Sequence, residues 1–178
     1  DTQAVGQAIE QTTSYARAAT SNLVETATDE LGRVTRYTYD GASRRVTMVT
    51  PRGNAVGADP LLYTWRYDYD AVGNLVKTTD PYGKTVQSTY DVNGRPIAVT
   101  DQLGRTASSD YDGMGNVLAQ VNPNWEKTTY TYDVLGRVAT VTAPRGNVPG
   151  ATAADYQTSF AYDEVGNRTE VRSPLGHV

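Results

Sequence analysis

The 178-residue sequence contains no cysteine, a single histidine (His177), one phenylalanine and two methionines. Without cysteine there is neither a disulfide nor a thiolate metal site, but the compartment stays open, because many secreted bacterial proteins lack cysteine as well. With one histidine, placed at the end of the chain, no Ser-His-Asp, Cys-His or zinc-ligand set can be assembled. Gly-x-Gly-x-x-Gly and phosphate-loop patterns are missing too. No apolar run approaches the ~18 residues of a membrane-spanning helix, and no secretory leader is expected at the start. The net charge is −4, from 16 basic and 20 acidic residues, with the signs interspersed. There is no basic run, so the clustered Lys and Arg of tight nucleic-acid binding are absent. Apolar residues make up 38%, below the ~45–50% of ordinary domains. That predicts a thin core or a wide polar surface.

What is abundant is tyrosine, threonine and glycine, with thirteen Tyr and sixteen Gly. Thr and Tyr suit strands and Gly suits the turns between them. These residues are periodic. Tyr-Asp pairs start at Tyr39, Tyr69, Tyr90, Tyr111, Tyr132 and Tyr162, at intervals of 30, 21, 21, 21 and 30 residues. Glycine follows at Gly73, Gly94, Gly115, Gly136 and Gly166, and then Asn74, Arg95, Asn116, Arg137 and Asn167; the first copy carries Ser43-Arg44 instead. A proline position recurs at Pro51, Pro81, Pro123, Pro144 and Pro174, with Gln102 in one copy. A second glycine recurs at Gly53, Gly83, Gly104, Gly146 and Gly176, a series broken by Trp125. The two long intervals carry nine extra residues after Pro51-Arg52-Gly53-Asn54 and Pro144-Arg145-Gly146-Asn147, 93 residues apart. These insertions, near 55–62 and 148–155, show no strand pattern and are expected to protrude as loops on one edge.

Each unit holds two turn signals separated by about seven residues, near the usual strand length. In Tyr-Asp-x-x-Gly the Asp side chain can bond the backbone two residues on, and Gly accepts a positive φ. In Asp-Pro-x-Gly the proline presets the first corner. The unit is therefore a β-hairpin, and the expected fold is all-β: tandem antiparallel hairpins forming a continuous twisted or spiralling sheet. Alternation places Val46, Val76, Ile97, Leu118 and Ala139 on one face with Met48, Val99, Val141 and Val171. The motif tyrosines and the residues two before them, such as Tyr37, Tyr67 and Tyr130, share that face, which should be the buried one. Trp65 falls on it by parity. Pro96 removes a ladder donor and implies a gap or a bulge. Residues 29–178 form the array, and residues 1–28 read as a degenerate leading repeat or cap. There Tyr15 stands for the motif Tyr without its Asp, and Ala4 to Ala19 could be strand or a short helix, strand being favoured. The chain starts at Asp1 and stops within the pattern at Pro174-Leu175-Gly176-His177-Val178, so it is expected to be a piece of something longer. Open sheet edges then invite self-association.

A Tyr-Asp-x-x-Gly-Asn/Arg unit repeated every 21 residues resembles the YD-repeat, or Rhs-repeat, family of bacterial polymorphic toxins, Tc toxin BC components and animal teneurins. Residues 69–84 carry the resemblance best, with Tyr69-Asp70, Gly73-Asn74-Leu75-Val76 and Asp80-Pro81-Tyr82-Gly83. The resemblance implies a secreted or cell-surface bacterial protein and a stretch of β-shell wall. Its partners would be neighbouring repeats, an encapsulated toxin domain or a glycan. It implies no enzyme and no cofactor. The terminal self-cleaving segment of such shells is not seen.

Among candidate chemical residues, Asp40, Asp70, Asp91, Asp112, Asp133 and Asp163 could pair for acid–base work or bind a metal. Six copies at fixed spacing instead fit a role inside each turn, since an active site needs one set. Asp68-Tyr69-Asp70 resembles half a calcium loop but lacks its glycine turn. Arg52, Arg145, Asn54 and Asn147 either line a ligand groove or are solvated turn residues, the latter favoured. Trp125, at a glycine turn position, is the better candidate for an exposed contact. The candidate site residues are the repeat residues above, with Trp125, Arg52 and Arg145 as candidate ligand contacts. Three functions follow in order: a shell module, a glycan- or partner-binding module, and last an enzyme.

Overall fold

The computed structural model describes residues 13–174. They form fourteen antiparallel strands in chain order, and packing divides the chain into two compact units, 1–85 and 86–178. The first unit carries β1 (Ser14–Arg17), β2 (Val24–Thr28), β3 (Val34–Tyr39), β4 (Arg45–Val49), β5 (Thr64–Tyr69) and β6 (Leu75–Thr79). The second carries β7 (Thr85–Tyr90), β8 (Pro96–Thr100), β9 (Thr106–Tyr111), β10 (Val117–Val121), β11 (Lys127–Tyr132), β12 (Val138–Thr142), β13 (Gln157–Tyr162) and β14 (Arg168–Arg172). Within each unit every strand pairs with its sequence neighbours, so the expected hairpin meander is what forms.

Both turn types share one geometry. In the first turn the Asp70 N–H donates to the Asn74 carbonyl and the Gly73 N–H to the Asp70 carbonyl. Asp101, Arg105 and Gly104 do the same in the second turn. The glycines sit at positive φ, +101° at Gly73 and +78° at Gly104. This is a type I turn closed by a left-handed residue, the usual three-residue hairpin loop.

Next to each first turn the register slips by one. Tyr39 faces Arg45 while Thr38 faces Thr47, leaving Val46 as the extra residue. The same slip leaves Val76, Ile97, Leu118, Ala139 and Thr169 unpaired. These are β-bulges, which sequence alternation alone does not reveal. They account for Pro96: it lies opposite Tyr90 at a bulge, where proline is tolerated. The bulge also turns Arg45 toward the tyrosine face, where its guanidinium stacks 4.6 Å from the Tyr67 ring and 5.7 Å from that of Tyr37.

The leading copy is shifted relative to the sequence reading. Tyr15 pairs with Ala27, as Tyr37 does with Met48, so Arg17, opposite Val24, holds the motif tyrosine position. The turn that follows carries one additional residue, for Ala18 bonds Leu23 five residues on, with Asn22 at φ +56° in the glycine role. Tyr15 is strand, and residues 1–12 of the strand-or-helix segment lie outside the described residues.

The buried face differs from expectation. The expected inner residues Ile97, Val99, Leu118 and Val171 remain 37–42% exposed, while the one buried hydrophobic residue among those described is Ala119, on the opposite face. Within each unit the strands form one layer, and among the described residues no second layer covers the aliphatic column. Trp65 is half-buried opposite Met48, sheltered by cross-strand neighbours rather than by a core. Stability must come from strand pairing and polar stitching, and among the described residues no buried side-chain polar atom lacks a partner.

The insertions form no strand and carry short turns of their own. Short 3-10 turns at Pro51–Asn54 and Pro60–Tyr63, and again at Pro144–Asn147 and Ala153–Tyr156, fold each insertion back on itself. The Thr50 N–H reaches the Tyr63 carbonyl and the Ala143 N–H that of Tyr156. Gly53 and Gly146 are buried beneath these turns. A Cβ on Gly146 would lie 2.7 Å from Thr142 Cγ2 and 2.8 Å from Tyr156 Cβ. The recurrent second glycine thus has two causes, a left-handed turn at Gly83 and Gly104 and close approach at Gly53 and Gly146.

Candidate functional site

Each motif aspartate sits within its own turn. In the Asp91 copy, Oδ1 accepts the Asn93 and Arg95 N–H groups at 2.9 and 3.0 Å, and Oδ2 accepts Arg95 Nε at 2.6 Å. In the Asp112 copy the same oxygens take Met114 N, Asn116 N and Asn116 Nδ2 at 2.9, 2.8 and 2.8 Å. Asp40, Asp70, Asp133 and Asp163 repeat the pattern with their own turns. The Asn/Arg position therefore exists to reach back to the aspartate.

These donors hold the carboxyls below the usual range. At Asp40, Asp91 and Asp133 the leading cause is the backbone N–H of the following arginine. At Asp70, Asp112 and Asp163 it is the asparagine side chain. Asp29 and Asp101 in the second turns are lowered in the same way by Arg33 and Arg105. A lowered carboxyl stabilises the fold at pH values above its unfolded pKa and loses that contribution as pH falls through its folded one. The melting temperature should accordingly hold steady from neutral pH down to about pH 4–5 and fall progressively below about 4. A thermal melt series across pH 7 to 2 checks this; a transition governed by groups titrating near 6 would contradict it.

The motif tyrosines do something the sequence reading does not contain. Tyr39 OH donates to the Val24 carbonyl at 2.8 Å, Tyr69 OH to Arg45 at 2.9 Å and Tyr111 OH to Pro96 at 3.1 Å. Tyr132 OH donates to Val117 at 2.8 Å and Tyr162 OH to Val138 at 2.9 Å. In every case the acceptor is the residue just before the bulge of the preceding hairpin, which the irregular ladder leaves accessible. Each tyrosine therefore stitches its hairpin to the one before. Burial raises the Tyr132 phenol, which keeps it a donor.

A second link runs forward. Arg44, Arg95 and Arg137 extend Nη1 to the carbonyls of the next motif's Asp70, Asp112 and Asp163 at 3.1, 3.0 and 3.2 Å. The same guanidiniums stack on Tyr69, Tyr111 and Tyr162 at 4.9, 4.6 and 4.5 Å. A planar fork can serve two acceptors and a ring at once. Asn74, Asn116 and Asn167 are too short to do so and hold only their own aspartates. Hairpins are consequently clamped in pairs, and the signal is legible in retrospect as the strict order Arg44, Asn74, Arg95, Asn116, Arg137, Asn167.

The six aspartates are not brought together, and among the described residues no three His, Cys, Asp or Glu side chains converge as a metal site would require. Asn54 and Asn147 are not solvated turn residues: they are partly buried, and each amide seals three carbonyls. Asn54 Nδ2 reaches Val34, Val49 and Thr50 at 3.0, 3.1 and 3.2 Å. Asn147 Nδ2 reaches Lys127, Thr142 and Ala143 at 2.8, 3.1 and 3.2 Å. Arg52 and Arg145 are exposed and line two equivalent shallow grooves, one formed with Gly32, Arg33 and Val34, the other with Trp125, Glu126 and Lys127.

Bulged hairpins closed by aspartate-capped turns, and stitched within each unit by tyrosine hydroxyls, define a tandem β-hairpin repeat protein. The chain matches the RHS Repeat family over residues 19–55, 58–85, 90–126 and 115–148. It belongs to that family. Its fold is similar to solved Tc toxin structures. For the crystal structure of TcdB2-TccC3-Cdc42 the identity is 21% and the TM-score 0.68, covering 94% of this chain and 9% of that one. For TcdB2-TccC3 the values are 21%, 0.67, 93% and 10%. For the Tc holotoxin pore of Photorhabdus luminescens they are 20%, 0.66, 92% and 9%. The chain thus spans about a tenth of the length of these solved chains. No curated protein matches it.

Proposed function

We propose that this chain is a non-catalytic wall segment of a larger β-shell that encloses or carries a toxin or effector domain, outside the bacterial cell. The observation that carries this reading is that the repeated polar groups are engaged within their own turns and between neighbouring hairpins. The motif aspartates are saturated inside their turns, and the motif tyrosines join one hairpin to the next. A module made this way extends by adding units, each contributing its own stitch. On this reading residues 1–28 are a degenerate leading repeat or cap, and further repeats of the parent protein are the partners at the sheet edges. The likeness in fold to chains of toxin complexes supports the same reading.

Electron cryo-microscopy of the parent protein, with its flanking sequence, tests it. The expected result is a hollow particle whose wall contains these strands and whose interior holds a separate domain protected from protease until the particle is opened. A parent in which the ribbon encloses nothing would overturn the reading.

A second reading, a glycan- or partner-binding surface, is favoured by one observation. Trp125 stands 82% exposed at φ +64°, in a turn position held elsewhere by glycine.

A further inference from the structure

We propose that the second unit contains a built-in seam between β10 and β11, where it opens first, leaving β7–β10 and β11–β14 as two clamped blocks. The seam is a property of the ribbon itself, whatever the ribbon encloses. It is marked at both ends of the β10–β11 ladder.

At one end of each ladder between hairpins sits the residue that follows the first-turn glycine. Between β8 and β9 it is Arg95. It bonds its own Asp91 at 2.6 Å and the Asp112 carbonyl of the next hairpin at 3.0 Å, and it stacks on Tyr111 at 4.6 Å. Between β12 and β13 Arg137 holds the Asp163 carbonyl at 3.2 Å and the Tyr162 ring at 4.5 Å. Between β10 and β11 the position is Asn116, whose amide is spent on Asp112 at 2.8 Å. The shorter side chain leaves the next hairpin, at Tyr132 and Asp133, without a clamp of this kind.

At the other end sits the connection between the two strands. The turn from β8 to β9 has Gly104 at φ +78° and an Asp101–Arg105 ion pair at 2.7 Å. The insertion from β12 to β13 is closed by the Ala143 N–H on the Tyr156 carbonyl at 2.9 Å and by the three-carbonyl seal of Asn147. The turn from β10 to β11 instead puts Trp125 at φ +64°. A bulky residue in the left-handed region costs stability, and an indole 82% exposed recovers little of it by packing. The closing pair there is Asn122 with Glu126 at 2.7 Å, an amide where the neighbouring turn has an ion pair.

What holds the seam is its strand pairing and two tyrosines. Tyr132 donates to the Val117 carbonyl at 2.8 Å and Tyr130 to Gln120 Oε1 at 2.9 Å. The ladder is therefore closed in the folded state and differs from its neighbours in the free energy needed to open it. Native proteins open in cooperative blocks whose boundaries fall at such differences. Losing one charge-assisted hydrogen bond and one cation–π stack raises the open population by about fivefold or more.

Residue-resolved hydrogen exchange of the 178-residue chain, followed by NMR under native conditions, tests the seam. Amides that donate across β10–β11 are expected to exchange about fivefold or more faster than those across β8–β9, once intrinsic rates are divided out. Arg95→Asn keeps the bond to Asp91, as Asn116 does to Asp112, and should raise exchange across β8–β9 by a similar factor. Trp125→Gly should slow exchange across β10–β11, because glycine suits that backbone. Equal protection of the two ladders in the native chain would overturn the seam. Unchanged protection of β8–β9 in Arg95→Asn would overturn the clamp as its cause, and the proposal with it. Either failure leaves the wall-segment reading untouched, since that reading rests on the turns and the tyrosine bonds.

Discussion

Replacing Gly146 by alanine should destabilise the second unit by about 2–3 kcal/mol, the upper part of the range for overpacking a filled site. The added Cβ meets Tyr156 Cβ at 2.8 Å and Thr142 Cγ2 at 2.7 Å, with the Ala153 carbonyl oxygen at 3.3 Å. None of these can yield without opening the insertion, because the Ala143 N–H bond to the Tyr156 carbonyl fixes its base. Gly104 provides the contrast. Nothing lies within 4 Å of its notional Cβ, and its requirement is the positive φ of 78°. Asparagine tolerates that conformation, so Gly104→Asn should cost well under half as much as Gly146→Asn. Urea denaturation followed through the second unit measures both; equal losses at the two sites would show that the two glycines share one cause after all.

Asn147→Ala should cost about 1–3 kcal/mol, the range for leaving polar groups unpaired. One amide caps the carbonyls of Lys127, Thr142 and Ala143, and its Oδ1 accepts the Thr129 hydroxyl at 3.0 Å. Aspartate at this position is nearly the same shape but offers only acceptors to three carbonyl oxygens. Asn147→Asp is therefore expected to be at least as destabilising as Asn147→Ala at neutral pH, and to recover as the pH is lowered and the carboxyl gains a proton. An Asp variant as stable as the native chain at pH 7 would count against the seal. Asn54 occupies the same position in the first unit.

The parts of this structure legible in the sequence are those that depend on residues close along the chain. The turn from Asp to the Asn/Arg position spans five residues, and its Asp side chain bonds the residues two and four on, so its pattern is written in consecutive letters. Strand length and the hairpin meander follow from the spacing of those turns. What joins one hairpin to the next is written across 15 or 24 residues, as in Tyr132 to Val117 and Tyr162 to Val138, and depends on a bulge that leaves no compositional mark. The tyrosine column therefore reads as a packing column in the sequence, whereas its hydroxyls form the stitch. The same gap misplaces Tyr15, which holds the position two before the motif tyrosine, as Tyr37 does, and only the strand pairing shows it. The aliphatic alternation is real, but it predicts only which side chains share a face, and no second layer covers that face. Asn54 and Asn147 read as solvated because prolines and glycines surround them; only the folded insertion brings three carbonyls to each.

The candidate site divides in the same way. The repeat residues read as structural in the sequence because they are many and evenly spaced, while the two grooves emerge only when the insertion is seen to fold against the turn of a preceding hairpin. Trp125 was visible in the sequence as a break in a glycine series, and its backbone conformation is what gives that break meaning.

The Tyr-Asp pairs join hairpins and do not converge on a site. Substituting phenylalanine singly at Tyr39, Tyr69, Tyr111, Tyr132 and Tyr162, and measuring the unfolding free energy of each variant in urea, tests it directly. Loss of one tyrosine-to-carbonyl bond should cost about 1 kcal/mol, at a similar level in all five. A single position carrying nearly the whole effect, with the other four silent, would contradict the account.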